Sequence, residues 1–169
     1  MLTDVEGSTR LWERHPDEMA EALVRHDRLI TSVVEACGGT VVRNRGEGDS
    51  IFAVFADPSD AVEAAVRVQL AFRDEPWPEH TQLRTRVALH TGEADLRAGD
   101  YYGQSVNRCA RLRAVAHGGQ TLLTAAMVEA IEGRMPDGAT LRDLGVHHLR
   151  DLTLVERVFQ VDHPGLDAD

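Results

Sequence analysis

The sequence predicts an α+β domain in which helices cover a ferredoxin-like mixed sheet. Two observations predict this class. Short β-rich segments are interspersed with longer amphipathic segments of helical period, and their order is strand, helices, hairpin, helix, strand, helix, strand. This order indicates that the helices cover one face of the sheet. The length of 169 residues and the hydrophobic content of 43% suit one core, so we expect a single domain over residues 1–169.

The chain opens with the end of a strand, residues 1–5. Few strand residues precede Asp4, so we expect that the first strand has further residues upstream. Gly7, Ser8 and Thr9 then form a turn into a helix, with Ser8 as its expected cap.

A long helix and a hairpin follow. Residues 17–36 carry apolar side chains at helical spacing and end at a Gly-Gly pair, which predicts an amphipathic helix. The β-rich segments 40–43 and 51–55 predict a hairpin with Glu47 and Asp49 at its tip. On turn chemistry alone, a solvated polar turn is the simpler interpretation of these two acids.

The remaining elements have clear periods. We expect helices over 57–72, from Gly103 onward and over 125–132, and strands from Leu83, over 120–123, over 140–149 and over 157–161. The segment HTGEADLRAGD is expected to be a loop.

Composition limits the possible partners. The net charge of −10 argues against nucleic acid or an anionic membrane surface, and no apolar run approaches the ~18 residues of a membrane span. Cys37 and Cys109 lie in predicted helices without metal-ligand spacing, which is typical of reduced core cysteines in a cytoplasmic protein. We expect His15 and His26 at the surface, outside any metal-ligand set. All 18 basic residues are arginine.

Asn107 and Arg111 lie four residues apart on the helix after Gly103 and therefore project from one face. Alone, such a pair is typical of a solvated surface. Its neighbour Asp100 and the acids near the hairpin favour a functional interpretation.

Three segments together resemble a known family. TDVEGSTRLW, GEGDSIFAVF and GDYYGQSVNRCARL, in this order and at these separations, resemble the three motif blocks of the class III nucleotidyl cyclase catalytic domain, in its bacterial form. The resemblance covers nearly the whole chain. It implies the cyclase fold and the conversion of ATP to 3′,5′-cyclic AMP and pyrophosphate, with guanylate cyclase activity as a further possibility.

The resemblance also implies a metal site for two Mg²⁺ or Mn²⁺ ions, bound by Asp4, Val5 and Asp49. Two carboxylates on adjacent strand ends fit this chemistry, and we expect both to lie outside the core. Gly7, Ser8 and Thr9 would offer backbone N–H groups to the phosphates.

The substrate half of the site is implied in the same way. Asn107 matches the residue that orients the ribose, Arg111 the one that stabilises charge on the α-phosphate, and Asp100 the acid that recognises the adenine amino group. Arg45 stands where adenylyl cyclases of the family place a purine-reading lysine, so the choice between ATP and GTP stays open. A triphosphate-binding lysine is also missing, and either Arg150 or Arg157 would replace it.

The family resemblance implies a head-to-tail homodimer. Asp4 and Asp49 would come from one protomer, and Arg45, Asp100, Asn107 and Arg111 from the other. The alternative function is a degenerate cyclase homology domain that binds nucleotide or dimerises as a regulatory module. A diguanylate-type condensation is a weaker alternative, because it leaves Asn107 and Arg111 unexplained.

Overall fold

The computed structural model describes residues 1–42 and 48–166. The strands of this part are β1 Leu2–Val5, β2 Thr40–Val42, β3 Ile51–Val54, β4 Thr85–Leu89, β5 Asp95–Arg97, β6 Asp100–Tyr102, β7 Thr121–Thr124, β8 Thr140–His147 and β9 Glu156–Asp162. Its helices are α1 Ser8–Arg14, α2 Pro16–Ala36, α3 Pro58–Asp74, α4 Gln104–Ala114 and α5 Ala125–Ile131. The α+β class predicted from the sequence is confirmed.

The main sheet has the strand order β2-β3-β1-β4-β7-β9-β8. Strands β4 and β7 run parallel, and the other neighbours are antiparallel, so the sheet is mixed. β1 lies between β3 and β4, with Asp4 directly opposite Arg86 of β4 and Thr3 opposite Ile51 of β3. This register gathers polar side chains from three strands at one end of the sheet.

Helices cover both faces of the sheet, rather than the single face that the sequence predicts. Val87 and Leu89 of β4 pack in one apolar cluster with side chains of α2, α3 and α5. Ala88, which points to the opposite face, packs in a second cluster with Cys109 and Leu112 of α4. Among the helices of residues 1–42 and 48–166, α4, which carries the Asn107/Arg111 pair, is therefore the one that covers this face.

The predicted loop before α4 contains a small hairpin. Strands β5 and β6 pair antiparallel, with Arg97 opposite Asp100. The connecting residues Ala98 and Gly99 both have positive φ, at 51° and 78°, which fits a tight two-residue turn. The sequence prediction was wrong here because each strand has only three residues and begins with an aspartate, a residue that is depleted in strands, so no strand period can be recognised.

His26 is fully buried, contrary to its predicted surface position. It belongs to the inward stripe of α2 formed by Met19, Ala22, His26, Ile30 and Val34. The ring lies edge-on to Phe72, and its Nδ1 is 2.8 Å from an oxygen of Asp27. The histidine therefore serves core packing.

Both cysteines are free thiols, as expected, and both are buried. Cys109 lies in α4, whereas Cys37 lies one residue beyond the end of α2. Burial raises the pKa of the Cys109 thiol. Within residues 1–42 and 48–166, no helix is both long enough and apolar enough to cross a membrane.

Candidate active site

Asp4 lies among arginines at the end of β1. Its carboxylate accepts two hydrogen bonds from Arg86, at 2.7 and 2.6 Å, and lies 3.2 Å from Nε of Arg113. The side chains of Asp4 and Arg113 are each 14% exposed, so the pair is largely removed from water. Asp4 therefore lies at the strand end, outside the two apolar clusters as expected, but it is only partly exposed. Its bond to Arg86 raises the pKa of Arg86 above the ordinary value.

Asp49 approaches the same strand end from the β2–β3 hairpin. Its Oδ2 accepts the backbone N–H of Val5 at 2.9 Å, and the next residue, Ser50, donates its hydroxyl to the carbonyl of Thr3 at 3.1 Å. Arg113 also donates to the Thr3 carbonyl at 3.0 Å and to the Ser50 hydroxyl. The fold therefore brings Asp49 beside Asp4 and Val5, although Asp49 lies more than forty residues further along the sequence.

The turn into α1 follows directly. Gly7 is the N-cap residue, with φ 68° and ψ 18°, and no side chain caps this helix. The expectation that Ser8 is the cap is therefore wrong, because Ser8 is already the first helical residue. A left-handed φ at this turn favours glycine over other residues. Gly7 and Thr9 are exposed and Ser8 is half-buried.

Asn107 and Arg111 lie on the outer side of α4. Asn107 is exposed, and Arg111 makes an ion pair of 2.9 Å with Asp151, in the loop between β8 and β9. The same carboxylate lies 3.7 Å from Arg150, whose side chain is 86% exposed. The loop is anchored beside α4 because Leu149 and Leu152 pack in the α4 cluster. Arg157, by contrast, pairs with Asp143 across β8 and β9.

The two faces of α4 separate these groups. Residues two positions apart on a helix point about 160° away from each other. Cys109 and Arg113 face the sheet, so Asn107 and Arg111, two positions before them, face away from it. Within one chain, Asn107 and Arg111 therefore point away from the strand end that carries Asp4 and Asp49.

Asp100 begins β6 in the small hairpin that precedes α4. Its side chain is half-buried, and it accepts the backbone N–H of Tyr101 at 2.8 Å. This local bond orients the carboxylate at the edge of the hairpin. Arg45 and Glu47 lie outside the described residues.

A cleft of about 570 Å³ opens between β3, the β5–β6 hairpin and the start of α4. Its lining includes Phe52, Tyr101, Cys109 and His90. His90 makes a 2.8 Å hydrogen bond to the hydroxyl of Thr124. Burial, reinforced by the charge of Arg108, lowers the pKa of His90 to about 4. The cleft therefore presents a neutral imidazole at physiological pH.

The sequence profile of the Adenylate and Guanylate cyclase catalytic domain matches residues 1–150. This chain belongs to that family. The matched range includes Asp4, Asp49 and the whole of α4. The fold is also that of solved cyclase domains. The structure of adenylate cyclases from Trypanosoma brucei in their monomeric state has a TM-score of 0.88 and 30% identity, over 98% of this chain and 90% of that one. An adenylate/guanylate cyclase/hydrolase from Silicibacter pomeroyi has a TM-score of 0.80 and 27% identity, over 94% and 92% of the two chains.

Two relatives are longer than this chain and match it over part of their own length. An uncharacterized protein of Mycobacterium tuberculosis is 43% identical over 166 residues, which is 98% of this chain and 56% of that protein. A receptor-type adenylate cyclase of Trypanosoma brucei brucei is 30% identical over 96% of this chain and 16% of its own length. The chain thus spans little more than half of the first relative and a small part of the second.

Sequence reasoning did not identify Arg86, Arg113 or Asp151 as parts of this candidate site. Arg86 lies between buried residues on β4. The sequence alone does not show that its side chain lies on the face covered by α4, because this depends on the neighbouring strands. Arg113 breaks the apolar stripe of α4 between Leu112 and Ala116, a signal that the sequence does contain. Asp151 lies in an irregular loop and gives no comparable signal.

Proposed function

We propose that this cyclase domain converts ATP to 3′,5′-cyclic AMP and pyrophosphate at composite sites between two copies of the chain. The observation that carries the proposal is the separation of the two faces of α4. Asp4 and Asp49 lie on one side of that helix, and Asn107 and Arg111 point to the other. A second copy is needed to bring the two sets to one nucleotide, and a symmetric pair would form two such sites.

The metal half of the site fits hard cations. Two carboxylates, together with the backbone carbonyl of Val5, form an all-oxygen donor set, which suits Mg²⁺ and Mn²⁺. Arg86 and Arg113 both contact the Asp4 carboxylate, and these contacts fix its direction. When bound, two such ions would activate the ribose 3′-hydroxyl and neutralise the triphosphate.

The other half acts on the reacting groups. Asn107 orients the ribose, and Arg111 stabilises the charge that grows on the α-phosphate as the 3′-oxygen bonds to phosphorus and pyrophosphate leaves. Arg111 must first exchange its ion pair with Asp151 for the phosphate. Arg150, beside the same Asp151, is better placed than Arg157 to bind the triphosphate. The backbone of Gly7, Ser8 and Thr9 would bind the phosphates from the first half.

Base recognition rests on Asp100 and Arg45. Asp100 would accept a hydrogen bond from the adenine amino group, with its direction fixed by the Tyr101 amide. Arg45 would contact the purine from the β2–β3 hairpin. Because a guanidinium has a longer planar fork than an ammonium, GTP is kept as a second substrate.

One observation favours the alternative function. The Asp4 carboxylate is engaged by two arginines, a contact that stabilises the fold without any metal. A regulatory cyclase homology domain, which binds nucleotide or dimerises without turnover, would retain such a pair for structure alone.

Product formation decides between the two. The purified protein is incubated with ATP or GTP and Mn²⁺, at protein concentrations spanning two decades, and the products are separated by chromatography. The enzyme proposal predicts a cyclic nucleotide and a specific activity that rises with protein concentration as dimers form. Nucleotide binding without any cyclic product at the highest concentration would establish the regulatory module instead.

A further inference from the structure

A cluster of His15, Glu18 and His80 lies away from the cyclase site, at the corner between α1 and α2. The ring nitrogens of the two histidines and a carboxylate oxygen of Glu18 all lie within 4.8 Å of one another. This corrects the expectation that His15 lies outside any metal-ligand set. Within the two described ranges, no other group of three histidine, cysteine or acidic side chains has this geometry.

The start of α2 places the side chains of His15 and Glu18 close together. His15 is the N-cap residue of α2 and Glu18 is its third helical residue, two positions whose side chains face each other at a helix start. Pro16 at the first helical position fixes the backbone between them. The first two donors are therefore preorganised by the helix terminus.

His80 is brought to the pair by the segment between α3 and β4. Glu18 accepts the backbone N–H of His80 at 3.0 Å and lies 2.9 Å from its Nδ1. The imidazole rings of His15 and His80 stack with centroids 4.8 Å apart. The segment is also tied to α2 by Arg25, which donates to the carbonyl of Pro76 and pairs with Glu75 at 3.5 Å. His80 is therefore held beside α2 from two sides.

We propose that His15, Glu18 and His80 form a binding site for a zinc-type transition-metal ion that clamps the α1–α2 corner to the segment before β4. Two imidazoles and a carboxylate are a donor set that Zn²⁺ takes with a fourth position left to water, and imidazoles disfavour Mg²⁺. Zinc bonds of about 2.0–2.2 Å require donors roughly 3.3 Å apart, so the donor atoms, now within 4.8 Å of one another, must move closer, and the stacked imidazole rings must rotate so that a nitrogen of each faces the ion.

The clamp matters because α1 is weakly held. This helix has seven residues and none of them is buried. It begins at the Gly7–Thr9 turn and ends at His15, so an ion bound at its carboxyl end would restrict the position of the whole helix. The proposal does not depend on cyclase turnover, since binding and helix protection are measured on the protein without nucleotide.

Zinc titration of the full chain by calorimetry tests the site, with saturating Mg²⁺ present to occupy the Asp4 and Asp49 carboxylates. We expect one Zn²⁺ per chain, with affinity at least tenfold weaker in His80→Ala and in Glu18→Gln. His80 is 53% exposed, so its variant keeps the fold. The matched control is His117→Ala, because His117 also faces a glutamate, Glu6, at 3.8 Å and belongs to no such cluster among the described residues.

Unchanged affinity in His80→Ala, an equal loss in His117→Ala, or no zinc binding by the wild-type chain would each overturn the site. Hydrogen exchange tests whether the ion restricts α1. Zn²⁺ should slow hydrogen exchange of the α1 amides in the wild type and not in His80→Ala. Zinc binding without slower exchange in α1 would overturn the clamp.

Discussion

Asp4 stabilises the fold through its ion pairs, and this contribution to the free energy of unfolding can be measured without metal or nucleotide. Its carboxylate makes two bonds of 2.7 and 2.6 Å to Arg86 and lies 3.2 Å from Arg113. The exposed fractions of the three side chains are 14%, 25% and 14%. Asp4→Asn keeps the shape of the side chain but removes the charge, so two poorly hydrated guanidinium groups lose their counter-charge.

The magnitude follows from the burial. Removing one partner of a buried ion pair costs about 3–5 kcal/mol. Arg86 is a quarter exposed and regains some hydration, so we expect Asp4→Asn to lower the free energy of unfolding by about 2–3 kcal/mol. The matched control is Asp95→Asn, whose partner Arg97 lies 3.2 Å away with both side chains about 70% exposed, and whose loss we expect below about 0.5 kcal/mol.

Urea unfolding in the presence of a chelator measures both variants, and the midpoint is compared at constant slope. A double-mutant cycle with Arg113→Met should recover about 1 kcal/mol or more, because the orphaned guanidinium is then absent. If Asp4→Asn and Asp95→Asn lose the same stability, the buried cluster does not stabilise the fold and our reasoning about Asp4 fails.

Three further predictions follow from other residues. His90 should titrate with a pKa of about 4, below the ordinary histidine value near 6.5. Because the unfolded chain then binds a proton more readily than the folded protein, the contribution of His90 to stability is complete above pH 6.5 and is lost as the pH falls towards 4. NMR titration measures the pKa, and the loss of stability between pH 7 and pH 5 should shrink in His90→Gln. Arg150→Ala should raise KM for the nucleotide about tenfold while Arg157→Ala leaves it nearly unchanged, since only Arg150 lies beside Asp151 and Arg111; equal effects would contradict this assignment. Arg45→Lys should raise the preference for ATP over GTP by about tenfold to a hundredfold in kcat/KM, and an unchanged ratio would remove Arg45 from base recognition.

The main elements could be predicted because their periods are strong. The long apolar stripes of α2 and α3 and the β-branched runs of the sheet dictate helix and strand locally. The surface position predicted for His26 is wrong because histidine is usually exposed at least in part, whereas its spacing from Ala22 and Ile30 places it on the buried stripe.

The pairing of Asp4 with Arg86 could not be predicted, because it depends on strand register across eighty residues. The same holds for the two-sided packing of the sheet. Periodicity shows that α4 has an apolar face but not which face of the sheet receives it. The cluster of His15, Glu18 and His80 could not be predicted for a related reason, because His80 comes close to α2 only through the path of the segment that follows α3.

In the proposed dimer, each active site joins Asp4 and Asp49 of one copy to Asn107 and Arg111 of the other. Mixing complementary inactive chains tests this shared site most directly. In a mixture of Asp49→Ala and Arg111→Ala chains, half of the randomly formed dimers are mixed and each has one intact site, so about a quarter of wild-type activity should return. A mixture of Asn107→Ala and Arg111→Ala chains is the matched control, since both lesions lie in the same half and every site stays defective. Mixed dimers that form but remain inactive in the first mixture would contradict the shared site.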